Sequence, residues 1–260
     1  GGTARALAKY GSYFDREPYY VYEQGPIALL VIDGNNGLPE RSDTDTNWYL
    51  DGTAPPWQPG SAQYAWLEKT LADAQRDKAF TFVMFHGAPY TSGIHGRPPG
   101  IGDGLNFSSG LPLRELTPLF LKYGVDAVFN GHDEMYEHSV VEGLEELDSG
   151  ERAAHAVHFF TVGIAGDGLR GPDAFADNPQ RVFLAHDDAP EQWSEDGILL
   201  DGGKHYGHLD VRVRRDDDGN WQALLQPVYV FPVMNAAGEL QRFEARRYDD
   251  SVILEHPHGD

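Results

Sequence analysis

Cysteine is missing from all 260 residues, which excludes a disulfide framework, a thiolate zinc site and a cysteine nucleophile. Lysine is scarce, at five residues, so arginine supplies most of the 20 basic side chains set against 41 acidic ones. The resulting formal charge of −21 excludes broad electrostatic attraction to nucleic acid or to an anionic membrane surface. The acidic excess is spread along the chain, as suits a solvated acidic surface or the binding of divalent cations. No apolar run approaches the ~20 residues of a membrane span. The opening Gly1-Gly2-Thr3 has neither methionine nor a signal-like apolar segment behind it, and reads as internal to a longer gene product.

Core material is plentiful: hydrophobic residues make up 40% and aromatics 12%, while 30 glycines and 17 prolines announce long structured connections. One domain over 1–260 is expected, an α/β part over 1–140 and a mainly strand part over 141–260 that completes a second sheet. Residues 1–26 carry an aromatic run, Tyr10, Tyr13, Phe14, Tyr19, Tyr20 and Tyr22, which reads as a packing surface. Residues 27–33 form a continuous apolar run suited to a strand covered on both faces. Ser61 caps a helix to Asp77 whose inner stripe is Tyr64, Leu67, Leu71 and Ala74. A strand over 80–85 follows, parallel to the first. Pro112 to Tyr123 reads as a second helix with Leu113, Leu116 and Phe120 inward and Gly124 as its stop, leading to a strand over 125–129. Further strands are expected over 155–162, 207–213 and 221–231, with Asp216 to Asn220 as the hairpin turn between the last two.

Two of these strands end abruptly in glycine and histidine: Phe85-His86-Gly87-Ala88-Pro89-Tyr90 and Asn130-Gly131-His132-Asp133-Glu134-Met135-Tyr136-Glu137. Each places an imidazole at the carboxyl end of a buried strand, where open α/β sheets keep their ligands. His86 and His132 are therefore candidates to converge on one ion at ~2.0–2.1 Å. The loop over 87–112 is long enough to be functional, and it contains His95. Asp43-x-Asp45-x-Asn47 has the alternate-oxygen spacing that opens a calcium loop, although Trp48 and Ala54 break the rest of that pattern; calcium and an ordinary acidic loop both stand. His155, His158, His186, His205 and His208 are scattered without ligand spacing and read as structural or surface residues.

The two histidine stretches resemble the fourth and fifth motifs of the calcineurin-like metallophosphoesterases, His-x-Pro-x-Tyr or a near variant and Gly-His-x-His-x-Tyr-Glu, most closely in the purple acid phosphatase branch. Gly163-x-x-Gly166-x-Gly168 resembles the glycine-rich stretch that follows the fifth motif. The family's first three motifs, Asp-x-His, Gly-Asp-x-x-Asp or Tyr, and Gly-Asn-His-Asp or Glu, occur nowhere in this sequence. The resemblance covers roughly residues 10–235. It implies the C-terminal portion of a four-layer α-β-β-α sandwich and a centre of two divalent or trivalent cations, Fe, Mn, Zn or Mg. It implies also that a metal-bound hydroxide attacks the phosphorus of a phosphomonoester or diester, with the two cations clamping the ester. His86 and His132 would share one metal, and Glu134, where the family has a second histidine, would either bind the other metal through oxygen or mark its loss. His95 stands at the offset of a substrate-facing histidine, the alternative being a loop residue in solvent. The missing motifs imply a companion N-terminal segment or chain, and a secreted, cell-surface or periplasmic setting. A non-catalytic structural or binding subunit of an extracellular assembly is the rival reading.

Overall fold

The computed structural model describes residues 18–35, 55–98, 109–166, 168–185 and 190–256. The Asp43-x-Asp45-x-Asn47 segment, His186 and the aromatic residues Tyr10, Tyr13 and Phe14 lie outside them. Among the described residues the elements run β1 (Tyr20–Gln24), β2 (Ile27–Val31), α1 (Ala62–Asp77), β3 (Phe80–Met84), α2 (Thr117–Lys122), β4 (Ala127–Asn130), β5 (Tyr136–Glu146), β6 (Arg152–Val162), β7 (Arg181–Leu184), β8 (Gln192–Trp193), β9 (Leu199–Asp201), β10 (Gly207–Arg215), β11 (Trp221–Met234), β12 (Leu240–Arg247) and β13 (Val252–His256).

The first seven strands form one mixed sheet in the order β1-β2-β3-β4-β6-β5-β7. Pairings β2·β3 and β3·β4 are parallel, their connections running through α1 and α2, and β4·β6 is parallel with β5 between them in sequence. Both outer pairs, β1·β2 and β5·β7, are antiparallel. A second, all-antiparallel sheet is built on β11, which pairs with β10 along one edge and with β12 and β13 along the other. Residue 140 is thus no boundary between sheets: β5, β6 and β7 join the first, and the second begins at β10.

Side-chain alternation sorts the core into two sides of the first sheet. Ala28, Leu30, Val83, Val128, Val157 and Phe159 face the helices, where Leu67, Leu71, Leu116 and Phe120 close over them. Phe80, Phe82, Phe160 and Tyr136 face the second sheet and meet Ala223, Leu225, Tyr229 and Phe231. The layers are therefore helix, sheet, sheet. Ser61 caps α1, its Oγ accepting from Tyr64 N at 3.1 Å, as its sequence position demands.

Three expectations are corrected. The continuous helix over 112–123 is split into a 3-10 segment, Leu111–Leu116, and the short α2. Pro118 explains the split, because it has no N–H to bond back into the preceding turn. The strand over 27–33 is shorter and covered on one face: Ala28 and Leu30 are buried, while Ile27, Leu29 and Val31 stay partly open. Ile27 and Leu29 belong to an apolar groove with Tyr22, Phe82, Met84 and Phe129, flanked by Leu209 and Val211 of β10, while Val31 lines the cleft beside Asp33 and His86. Finally, the sequence reading omitted β1, β5, β7, β8, β9, β12 and β13, of which β12 is mostly charged and polar.

Candidate active site

Because β3 and β4 are parallel neighbours, the residues that follow them emerge on the same edge of the sheet. His86 and His132 meet there, with His86 Nε2 3.0 Å from His132 Nδ1 and their ring centroids 4.6 Å apart. The backbone is built to allow it. Gly131 N donates to His86 O at 3.1 Å, and the Asn130 amide donates to the carbonyls of Phe85 and Gly87 at 2.9 and 3.2 Å, locking the two loops together. His132 has φ 70°, the sole non-glycine in the left-handed region among the described residues. Such backbone is costly for a residue with Cβ and persists where its surroundings enforce it, commonly at functional sites.

His95 reaches the same place from the long loop, within a 3-10 turn over Ile94–Gly96, and its ring centroid lies 3.7 Å from that of His132. Asp133 holds it there. Thr91 Oγ1 donates to Asp133 Oδ2 at 2.7 Å and His95 N donates to Oδ1 at 3.3 Å. A Cβ at Gly93 would stand 2.4 Å from this carboxylate, so glycine is what lets the loop close down. Burial pushes the Asp133 carboxyl up to about 6, against the lowering effect of those two hydrogen bonds. Glu137 fastens the next turn of the loop, accepting from Ser92 N and Ser92 Oγ at 2.6 Å each and from Asn178 Nδ2 at 2.7 Å. Tyr136 donates to Asp250 at 2.6 Å. Tyr136 and Glu137 are thus anchors of the turn.

Glu134 is differently placed. Arg170 Nε lies 2.8 Å from its Oε2, and Arg170 N donates to its carbonyl at 2.9 Å. The chain returns to this spot through the glycine-rich stretch after β6. A Cβ at Gly163 would sit 1.8 Å from Asp133 O, and Gly163 N donates to Met135 O at 3.1 Å. Beside the histidines a cleft of about 480 Å³ opens between Asp33 and Asn35 on one side and His86 and Asn130 on the other.

Two nitrogens at ~2.0–2.1 Å from one ion and at right angles to each other stand ~3 Å apart, so the His86 and His132 nitrogens fit two adjacent positions on a single cation. Burial lowers the pKa of His86, keeping its ring neutral and its lone pair available, while the charge of Glu134 works in the opposite sense. Among the described residues no group of three His, Cys, Asp or Glu side chains converges. With Glu134 already paired to Arg170, these residues fit part of the shell of one ion and do not fit two.

Sequence reasoning singled out His86, His95, His132 and Glu134 as candidates, and the structure places the four near one another. Asp133 was set aside as pointing elsewhere, and its carboxylate does turn to the Thr91–His95 loop; Arg170 was overlooked. Asp133 carried a signal, an acid inside the motif itself, whereas nothing in the sequence tied Arg170 to a residue 36 positions earlier. Another group missed altogether lies between the sheets: Asp250 Oδ1 meets His138 Nδ1 at 2.9 Å, and His138 Nε2 meets His158 Nδ1 at 2.9 Å. His155 is also structural, its Nε2 2.8 Å from Val125 O.

No protein-family model matches the chain. The Fe(3+)-Zn(2+) purple acid phosphatase 12 of Arabidopsis thaliana is 33% identical over 116 residues, 40% of this chain and 22% of that protein. The chain therefore matches well under two thirds of that relative's length. Among solved structures, a purple acid phosphatase, PPD1, from yellow lupin (Lupinus luteus) seeds aligns over 87% of this chain and 32% of its own, with 15% identity and a TM-score of 0.49. GAP50, described as the anchor in the inner membrane complex of Plasmodium, aligns over 89% of this chain and 55% of its own, with 17% identity and a TM-score of 0.39. In its two histidine motifs and in the curated match, the chain is similar to the C-terminal portion of calcineurin-like metallophosphoesterases of the purple acid phosphatase branch.

Proposed function

We propose that this chain carries the histidine side of a phosphoester-hydrolysing centre, in which His86 and His132 hold one metal ion and His95 faces the substrate. The observation that carries the reading is the 3.0 Å approach of His86 Nε2 and His132 Nδ1 at the ends of adjacent parallel strands. The remaining ligands come, in this reading, from a companion segment of the same gene product or of another copy. A cation bound there would supply Lewis acidity toward a phosphoryl oxygen and a more acidic water. The chain's own residues do the positioning. Asp133 and Glu137 tie down the 91–95 loop, which sets the His95 imidazole against His132 and lets it give a proton to the leaving oxygen. The cleft lined by Asp33, Asn35 and Asn130 receives the phosphoester. The substrate class is a phosphomonoester or diester, and the setting secreted, cell-surface or periplasmic. Among the described residues no helix is long and apolar enough to cross a membrane.

The pairing of Glu134 with Arg170 favours a second reading, a non-catalytic binding subunit that keeps the fold. Metal analysis together with an aryl phosphate assay separates the two. For the complete gene product we expect turnover with a bound ion, loss of both in His86→Ala and His132→Ala, and a ~10²–10⁴-fold loss of turnover at unchanged metal content in His95→Ala. A protein that holds its ion and hydrolyses nothing would favour the binding subunit. An ion count indifferent to His86→Ala would dispose of the histidine pair as ligands.

A further inference from the structure

We propose that Arg170 stands in for a second cation, its guanidinium neutralising Glu134 and limiting the centre to the single ion site at His86 and His132. The inference rests on the reading of the histidine pair given above and adds to it the identity of the second positive charge.

The Glu134 side chain is 15% exposed, and a carboxylate so far withdrawn from water requires a positive partner. It has one, at 2.8 Å, on a side chain that is itself 47% exposed and so reaches inward from the solvent side. The contact is out of line for a hydrogen bond at Oε2, which marks the attraction as that of charge on charge. The partner is held there by the backbone. Arg170 N donates to Glu134 O at 2.9 Å, and at the other end of the same stretch Gly163 N donates to Met135 O at 3.1 Å. The segment from Gly163 to Arg170 is therefore bound along the 133–135 turn at both ends, and Gly163 is pressed so closely under Asp133 that no other residue fits. An arginine delivered this way is part of the turn's architecture.

The chemistry differs from that of a metal pair. A guanidinium carries one charge where a metal carries two or three, stays protonated at any working pH, and cannot acidify a water. It presents N–H donors in a plane that matches phosphate oxygens. Such a centre retains anion recognition on the Glu134 side and concentrates metal chemistry on the histidine side.

Elemental analysis of the complete gene product after equilibrium dialysis against Zn or Mn tests this. Arg170→Ala is expected to take up one more ion per chain than the wild type, Arg170→Lys the same number as the wild type, and Arg170→Ala/Glu134→Gln to lose the gained ion. Circular dichroism of each variant checks that it is folded; Arg170 is half-exposed, so its truncation leaves the core intact. A wild type holding two ions per chain, or an Arg170→Ala protein with no gain, would overturn the proposal. The histidine pair is judged by a separate readout, the ion lost in His86→Ala, so failure of that reading and failure of this one are told apart.

Discussion

His158 shows how one buried side chain sets a pH limit on the fold. Burial lowers its pKa to about 4 from the ordinary 6.5, the neighbouring His138 and His155 add to the effect, and Asp250 opposes it. The folded state therefore prefers the neutral ring. Its contribution is fully present above pH 6.5 and drains away as pH falls toward 4, because the unfolded chain takes up the proton first. His158→Gln removes the titration and keeps a polar group beside His138 Nε2. Denaturant unfolding from pH 7 to pH 4 should cost the wild type on the order of 2 kcal/mol more than the variant. Parallel curves would clear His158 of the role. At this scale the sequence was legible where a motif gave context and opaque where none did. His86 and His132 were marked by the strands before them and the glycines after them. His138 and His158 sit within strands, and their connection through Asp250, 112 residues along the chain from His138, depends on how two sheets face each other.

Elements with strong local patterns were the readable ones. The helix from Ser61 was bounded to within a residue, because its cap and its apolar stripe both obey the helical period. The strands leading to the two histidines were placed with their parallel order, since their runs of apolar residues leave no other environment. What escaped were strands such as β12, Leu-Gln-Arg-Phe-Glu-Ala-Arg-Arg, where pairing with β11 overrides a composition that signals solvent. The turn from Gly131 to Tyr136 is an element of another kind, held by contact with Gly163. A methyl group at position 163 would collide with the Asp133 carbonyl at 1.8 Å, and backbone cannot yield as a side-chain tip does. Gly163→Ala is expected to destabilise the protein by about 3 kcal/mol, read as a lower urea midpoint. Gly166→Ala, which meets nothing within 4 Å, should leave the unfolding free energy within about 0.5 kcal/mol of wild type and the midpoint nearly unmoved. Equal midpoints for the two variants would show that the turn relaxes freely.

Across the whole molecule the two sheets overlap incompletely. The groove of Tyr22, Ile27, Leu29, Phe82, Met84 and Phe129 lies beside β10, whose outer edge pairs with no strand among the described residues. An apolar face next to an open strand edge invites association. We expect the 260-residue chain alone to self-associate with rising concentration, more so at 0.5 M salt, where the repulsion of its −21 charge is screened, and Met84→Lys to weaken this. A monomer at every concentration and salt level in sedimentation would contradict the expectation. The second sheet has its own consequence for synthesis. β11 receives β10 before it in sequence, but its other edge waits for β12 and then for β13, laid end to end. Only when residue 256 has left the ribosome can that edge be filled, and only then can His256 Nε2 reach Asp126 Oδ1, at 2.7 Å across 130 residues of chain. Until that moment β11 keeps one edge unfilled, and the contact that ties the second sheet back to the start of β4 waits for a residue 130 positions further along the chain.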